Sequence, residues 1–368
     1  MRYFLDARTA TEHFPGIGRY VSNLARAIVA ELQAGEELAL LVDGSRPSPW
    51  PLPPPQAQVR QVVTAVSPFN LSQQWQIPRL LRQHGAVAYH SPFYLMPYRP
   101  RLPTILTIHD LIPQLFPAYF PAWKRLLSEL TTRLALRSAD HLIVDSTATR
   151  QDVLERYAIR PARVTAVPLA PDPRFRPQPG AEVERIRAQY QLPASYVLYL
   201  GINKPHKNLV RLVEAWTAVH SNRVTLAIAG AWDGRYPEAR ERAQQLGAGE
   251  TIRFIGPVSD ADLPALYSGA HFFIFPSLYE GFGLPVIEAM ACGTAVITSS
   301  ISSLPEVAAE AALYTNPHDT ADITRQINHF LQNPALIAEY RQKSLAQAQQ
   351  FTWRATAVAT LNLYRQFS

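Results

Sequence analysis

Short apolar runs alternate with segments of helical periodicity along the chain. In the first half the apolar runs predict strands near residues 2–6, 38–42, 59–65, 87–90, 104–109, 142–145 and 164–167. Between them, apolar positions three and four apart predict helices near 17–32, 74–84, 122–138 and 147–157. The second half repeats the scheme, with strands near 196–200, 224–229, 252–255, 272–275 and 295–298. Its helices fall near 208–219, 237–246, 260–268, 285–291 and 304–309, and residues 353–367 close the chain as a further helix. Strand–helix alternation predicts the α/β class, with parallel sheets covered on both faces. Prolines at 168, 171 and 173 and the polar stretch 177–180 mark a linker, so the 368 residues divide into domains 1–170 and 171–352. Two doubly wound domains imply a cleft between them, with ligands at the carboxyl ends of the strands.

Composition changes this picture little. A chain 47% hydrophobic and 17% charged is a globular protein. Its single cysteine, Cys292, leaves no intrachain disulfide or cysteine-based zinc site and fits a reducing compartment. The start of the chain lacks a signal-peptide pattern, and no run approaches the roughly 18 apolar residues of a membrane span. A cytoplasmic address is expected. Charge is uneven: residues 1–170 hold 18 Lys+Arg against 12 Asp+Glu, whereas residues 171–368 hold 17 of each. That imbalance describes either an ordinary solvated surface or an attraction to anionic lipid or a phosphate-linked acceptor. Lys124, Arg125, Arg133 and Arg137 share a predicted helix with Trp123, Leu126, Leu127, Leu130 and Leu134. Either the leucines pack inward, or the helix makes a peripheral contact at the inner face of a membrane. No basic run or aromatic–basic platform points to nucleic acid.

The chemistry concentrates in residues 276–290, PSLYEGFGLPVIEAM. Glu280 and Glu288 have seven residues between them, including Gly281, Gly283 and Pro285. A strand precedes and a helix follows. Pro285 suits the first helical position. No usual capping side chain precedes it, so the amides of Val286 and Ile287 are expected to point at an anion. Taken alone, an acid near a helix start also serves simply to complement the dipole. The whole string, including Phe282, Leu284 and the Glu-Ala-Met-Ala-Cys-Gly run to Gly293, resembles the E-x7-E motif of retaining glycosyltransferases of the GT-B fold. The resemblance is to family 4, the glycosyl transferases group 1. It implies that Glu280 approaches hydroxyls of a donor sugar and that Glu288 holds the ribose of its nucleotide.

A second motif, Gly201-Ile202-Asn203-Lys204-Pro205-His206-Lys207-Asn208, also follows a strand and opens a helix. Asn208 is the expected N-cap, which would bring Lys207 and the helix dipole to one anion. The run is similar to the family's G-x4-R-K-N segment, implying that Lys207 neutralises the donor's diphosphate. His206 stands where the family has Arg, and Lys204 is the candidate for the missing charge. In the first domain, Gly16 and Gly18 lie in Pro15-Gly16-Ile17-Gly18-Arg19-Tyr20, after a strand and at a helix start. As a dinucleotide fingerprint it fails, because the third glycine is missing. The resemblance implies instead a glycine loop facing the diphosphate and acceptor, with Arg19 beside it. His109 ends an apolar strand. Alone it is as readily structural, but the resemblance places it near the donor's anomeric centre, with Asp110 and Ser146 weaker candidates.

The resemblance thus implies two Rossmann-like domains facing a cleft. Residues 1–170 would be the acceptor side and 171–352 the nucleotide-sugar side, with the terminal helix 353–368 crossing back to the first. It implies metal-independent transfer with retention and no cofactor beyond the nucleotide-sugar substrate. The Pro-His-Lys-Asn and His-Asp variants look like the mannosyl branch, favouring GDP-mannose; UDP-glucose, UDP-N-acetylglucosamine and deoxysugar donors are alternatives. A bacterial surface polysaccharide or lipid-linked saccharide is the expected acceptor, held by loops such as 47–55 and 92–103. Competing readings are a nucleotide-sugar-binding protein, a GT-B epimerase, a glycosidase using both acids, and a nicotinamide oxidoreductase.

Overall fold

The computed structural model describes every residue except Pro47, residues 220–223 and Ser368. Pro47, the first residue of the proline-rich loop, and Ser368, the last of the terminal segment, therefore lie outside the described residues. The chain forms two compact units. One comprises Met1–Leu169 with Thr352–Ser368, the other Ala170–Phe351.

The first unit is built on seven parallel strands: β1 (Arg2–Asp6), β2 (Glu37–Asp43), β3 (Val59–Thr64), β4 (Ala88–Ser91), β5 (Thr104–Ile108), β6 (His141–Val144) and β7 (Val164–Ala166). Their order is β3-β2-β1-β4-β5-β6-β7. The chain winds one way from β1 and then the other way from β4, so the topological switch lies between these two strands. Most strand positions are buried on both faces (all four of β4 and β6, all five of β5), which is why they read as continuous apolar runs.

The second unit holds six parallel strands: β8 (Tyr196–Leu200), β9 (Thr225–Ala229), β10 (Ile252–Gly256), β11 (Phe273–Phe275), β12 (Val296–Ser299) and β13 (Ala312–Thr315). Their order, β10-β9-β8-β11-β12-β13, puts the switch between β8 and β11. Three helices here lie beyond the sequence expectation, at Gly180–Gln189, Thr320–Gln332 and Pro334–Ala348, as does β13. Gly180, expected in a linker, opens the first of them.

The last helix, Trp353–Gln366, is capped by Thr352, whose hydroxyl accepts from the Ala355 amide at 3.2 Å. Ala357, Leu361 and Tyr364 recur at helical spacing and are buried, and the helix packs on Pro15–Glu31. Each large side chain so buried contributes about 1.5–3 kcal/mol. Arg365 donates to Glu36 at 2.7 and 2.8 Å, holding that carboxyl down at about 2. Among the described residues no helix is long and apolar enough to cross a membrane.

Candidate active site

In the second unit the loops after β8 and β11 flank the sheet's switch point, and the two motifs occupy them. Pro205–Lys207 forms a single tight turn ending at Asn208, which adopts the left-handed conformation with φ 63°. The Asn208 side chain does not cap the following helix. It donates to the carbonyls of Pro276 and Pro317 at 2.9 and 2.7 Å, tying three loops together. Asn208 thus holds the N-cap position as expected, but without a side-chain capping hydrogen bond. The carbonyl of His206 meanwhile accepts from the Leu278 amide and the Ser277 hydroxyl.

These ties bring Lys207 and Glu280 together. The Lys207 ammonium lies 2.7 and 2.8 Å from the two Glu280 carboxylate oxygens, and 5.1 Å from the centroid of the Phe275 ring. Ser277 donates to Glu280 Oε1 at 2.6 Å. Ser302 and Ser303 donate to the Glu280 carbonyl at 2.7 and 2.9 Å, and the Glu280 amide returns a bond to Ser302 Oγ. Both side chains are largely buried, so the geometry is set by the fold rather than by solvent. Beneath this loop lies Tyr199, whose hydroxyl is buried with no hydrogen-bond partner among the described residues. A Cβ on Gly201 would come within 2.9 Å of that hydroxyl, which accounts for the glycine.

Several expected roles change. The helix of the acid motif runs Leu284–Ala291, with Pro285 at its second position, and Gly283 precedes it at φ 108°. A Cβ on Gly283 would meet Leu304 at 2.7 Å, so only glycine fits this turn. The Val286 and Ile287 amides donate to the Gly283 carbonyl at 2.9 and 3.4 Å. They are therefore not aimed at an anion, because the helix begins one residue earlier than its proline suggests. Gly281 and Phe282 are buried in the turn, the latter packed edge-on against Phe351. Glu288 is buried in the helix, and its Oε2 accepts from the Tyr267 hydroxyl at 3.4 Å. His206 is buried too. Desolvation, with Lys207 and Lys204 adding to it, lowers its pKa to about 3, so it carries no charge near neutrality and does not replace an arginine. Lys204 begins the turn, half-buried.

In the first unit Gly16 and Gly18 sit inside the first turn of helix Pro15–Glu31 rather than in a loop. A Cβ on Gly18 would collide with the Trp50 ring at 2.2 Å, so packing against that ring explains it, whereas Gly16 is open to solvent. His109 follows β5. Its Nδ1 lies 2.7 Å from Asp145 Oδ2, and Nε2 is buried near the Pro92 carbonyl without a well-formed hydrogen bond among the described residues. Burial lowers the imidazole's pKa, but Asp145 outweighs it and the net direction is upward. Burial also raises Asp145. The Tyr20 ring packs edge-on against His109 at 4.8 Å. A buried chain runs beside it, from Tyr20 through Thr107 and His90 to the Tyr364 hydroxyl, with links of 3.0, 2.7 and 2.7 Å. Desolvation takes His90 down to about 3. The weaker candidates have local work: Asp110 accepts from the Ile112 amide, and Ser146 caps helix Thr147–Tyr157.

Helix Ala122–Ser138 buries only its second half, at Thr131, Thr132, Ala135 and Leu136. Trp123, Leu126, Leu127 and Leu130 are exposed, Leu126 by 73%. The choice left open by sequence falls against inward packing of Leu126, Leu127 and Leu130.

Sequence reasoning passed over Ser277, Ser302, Ser303, Tyr199 and Tyr267, as well as Asp145 as the partner of His109. Ser277 alone had a local signal, as the serine of the Pro-Ser pair before the acid motif. The others depend on strand order.

The family model of glycosyl transferases group 1 matches residues 182–350, and that of Glycosyltransferase Family 4 matches residues 15–175. The chain is 32% identical over 292 residues to O-antigen chain mannosyltransferase B of Escherichia coli, covering 77% of this chain and 76% of that protein. It is 33% identical over 265 residues to the serotype-specific mannosyltransferase WbdA of Escherichia coli, a match spanning 69% of this chain but only 32% of the relative. Among solved structures, sucrose-phosphate synthase from Thermosynechococcus elongatus superposes with a TM-score of 0.78 at 23% identity, covering 100% of this chain and 98% of that one. WaaG, a glycosyltransferase involved in lipopolysaccharide biosynthesis, gives 0.73 at 16% identity, with 99% of each chain covered.

Proposed function

This chain belongs to the glycosyl transferases group 1 (Glycosyltransferase Family 4) and is a glycosyltransferase of the GT-B fold, and from that premise we propose that it transfers mannose from GDP-mannose. The acceptor is a hydroxyl of a saccharide or lipid-linked saccharide, the anomeric configuration is retained, and no metal takes part. Mannose is favoured because the relatives matched at 32–33% identity are mannosyltransferases.

The observation that carries the reading is the Lys207–Glu280 pair at the sheet's switch point. A nucleotide-sugar donor carries an anionic diphosphate joined to a hydroxyl-rich ring. Lys207 suits the first and Glu280 the second. Each already holds the other, so donor binding exchanges one ion pair for two new contacts: ammonium to phosphate, carboxylate to sugar hydroxyls. In this role Glu280 positions the sugar rather than acting as a general acid, since three hydrogen bonds from Lys207 and Ser277 hold it as an acceptor. Departure of the diphosphate develops negative charge, which Lys207 stabilises. The leaving phosphate then takes the proton of the incoming hydroxyl on the same face of the sugar, which retains configuration. Glu288 holds the ribose of the nucleotide.

The exposed Trp123, Leu126, Leu127 and Leu130, with Lys124 and Arg125 beside them, support a peripheral contact with anionic lipid at the inner face of a membrane. Incubation with GDP-mannose and an α-mannoside acceptor in excess chelator tests the central proposal. An α-linked product by proton NMR is expected. A β-linked product refutes retention, and activity regained only on adding a divalent cation refutes metal independence.

A further inference from the structure

Apart from these groups, the first unit holds a cavity of about 240 Å³ at the carboxyl ends of β1, β2 and β3. Arg8 and Thr9 follow β1, Asp43 ends β2, Phe69 lies beyond β3, and Phe14 stands just before the first helix. The space equals about eight liquid waters, the scale of a single sugar ring.

Its walls are built. Arg8 is buried and fully engaged: it donates to Asp6 at 2.9 and 2.6 Å, to the Val66 carbonyl at 2.9 Å and to Gln73 at 3.3 Å. It fixes the loop after β3 onto β1 and has little left to offer an anion. Asp43 keeps a carboxylate in the wall, oriented by the amide and hydroxyl of Ser45 at 2.9 and 2.6 Å. The Thr9 hydroxyl is buried there with no hydrogen-bond partner among the described residues. The Phe14 and Phe69 rings stack at 6.1 Å and 18°, and Phe93 leans on Phe14 at 5.0 Å. Phe69 nevertheless remains 58% exposed. An aromatic face with a carboxylate and a hydroxyl beside it suits the apolar face and hydroxyl rim of a pyranose. Arg46 and His13 line the same cavity, and with Arg8 held by Asp6, the Arg46 cation and the Asp43 carboxylate offset each other, which suits a neutral ring.

We propose that this cavity is an acceptor subsite seating one neutral pyranose ring of a saccharide, stacked on Phe69 and Phe14 with hydroxyls toward Asp43. The identification as an acceptor site rests on the transferase reading; the sugar binding does not.

The test pairs binding with kinetics, using α-linked mannotriose as the probe on the full chain. Saturation-transfer NMR of the wild type should show mannotriose signals that vanish in Phe69→Ala and return in Phe69→Trp. In GDP-mannose assays Phe69→Ala should raise the mannotriose KM about tenfold, the loss expected for truncating one aromatic anchor, while the donor KM moves less than twofold. No mannotriose signal in the wild type overturns the subsite. So does an unchanged acceptor KM in Phe69→Ala, or a rise that Phe69→Trp shares. Should the wild type bind mannotriose through Phe69 yet transfer nothing to it from any nucleotide sugar, the sugar site stands and its identification as an acceptor site falls.

Discussion

Replacing Glu280 by Gln should tighten the binding of GDP even as it slows the enzyme. In the free protein the Lys207 ammonium sits 2.7 Å from the Glu280 carboxylate. At that distance and an effective dielectric near 20, the gross attraction is about 6 kcal/mol. Most of it offsets lost hydration, leaving a net worth of about 1.5 kcal/mol for a charged hydrogen bond of this kind. A diphosphate that recruits Lys207 must overcome that net term in the wild type but not in the variant. Glutamine keeps the side chain's length and an oxygen for Ser277, so the loop retains its shape. A gain of about 1.5 kcal/mol is roughly tenfold in Kd. Titration calorimetry with GDP at fixed ionic strength reads it directly. The variant should also melt a few degrees lower without ligand, because Lys207 loses its partner, and gain more from GDP than the wild type does. A GDP Kd in Glu280→Gln equal to or weaker than wild type would refute the exchange of partners.

Other consequences are as specific. Lys207→Ala should lower kcat/KM for GDP-mannose about 10²–10³-fold, comparable to deleting one oxyanion donor; a loss under threefold removes Lys207 from the chemistry. Asp145→Asn removes the carboxylate that lifts His109, so burial then prevails and the imidazole should titrate at lower pH, visible in its NMR ring protons. The stability owed to this pair has a sign: with the folded His109 value above the ordinary 6.5 or so, it is complete below pH ~6.5 and fades as pH rises through the folded value. The melting gap between wild type and Asp145→Asn should narrow accordingly, and an unchanged gap would count against it. Leu126→Ser with Leu127→Ser should abolish sedimentation with phosphatidylglycerol vesicles while leaving the melting temperature in place, each leucine being worth about 1.5–3 kcal/mol when buried. Equal sedimentation of both proteins would remove the lipid contact.

How much of this was legible depended on what each element buries. β5 and β6 are buried at every position, and their apolar runs announced them. Helix Thr320–Gln332 also carried readable signals, an Asp319 cap and Ile323, Ile327 and Phe330 at helical spacing, although the expectation stopped short of it. Helix Pro334–Ala348 did not, since the buried side it presents is Ile337, Ser344 and Ala348, one large apolar residue with two small ones and no continuous apolar stripe. At the site, Lys207 and Glu280 were each singled out by their motifs. Their pairing was not, because they lie 73 residues apart and meet only where the strand order sets β8 beside β11. Gly18 carries a constraint that no local pattern shows: a Cβ there would meet the Trp50 ring.

The helix Trp353–Gln366 also bears on how the polypeptide is made. His90 finds its Tyr364 partner, and Glu36 its Arg365, only after the entire second unit has been translated. At ordinary elongation speeds that is a delay of about 10–40 s. During it the nascent amino-terminal half waits on the ribosome with the seat of its final helix uncovered, and that helix follows the end of the second unit directly.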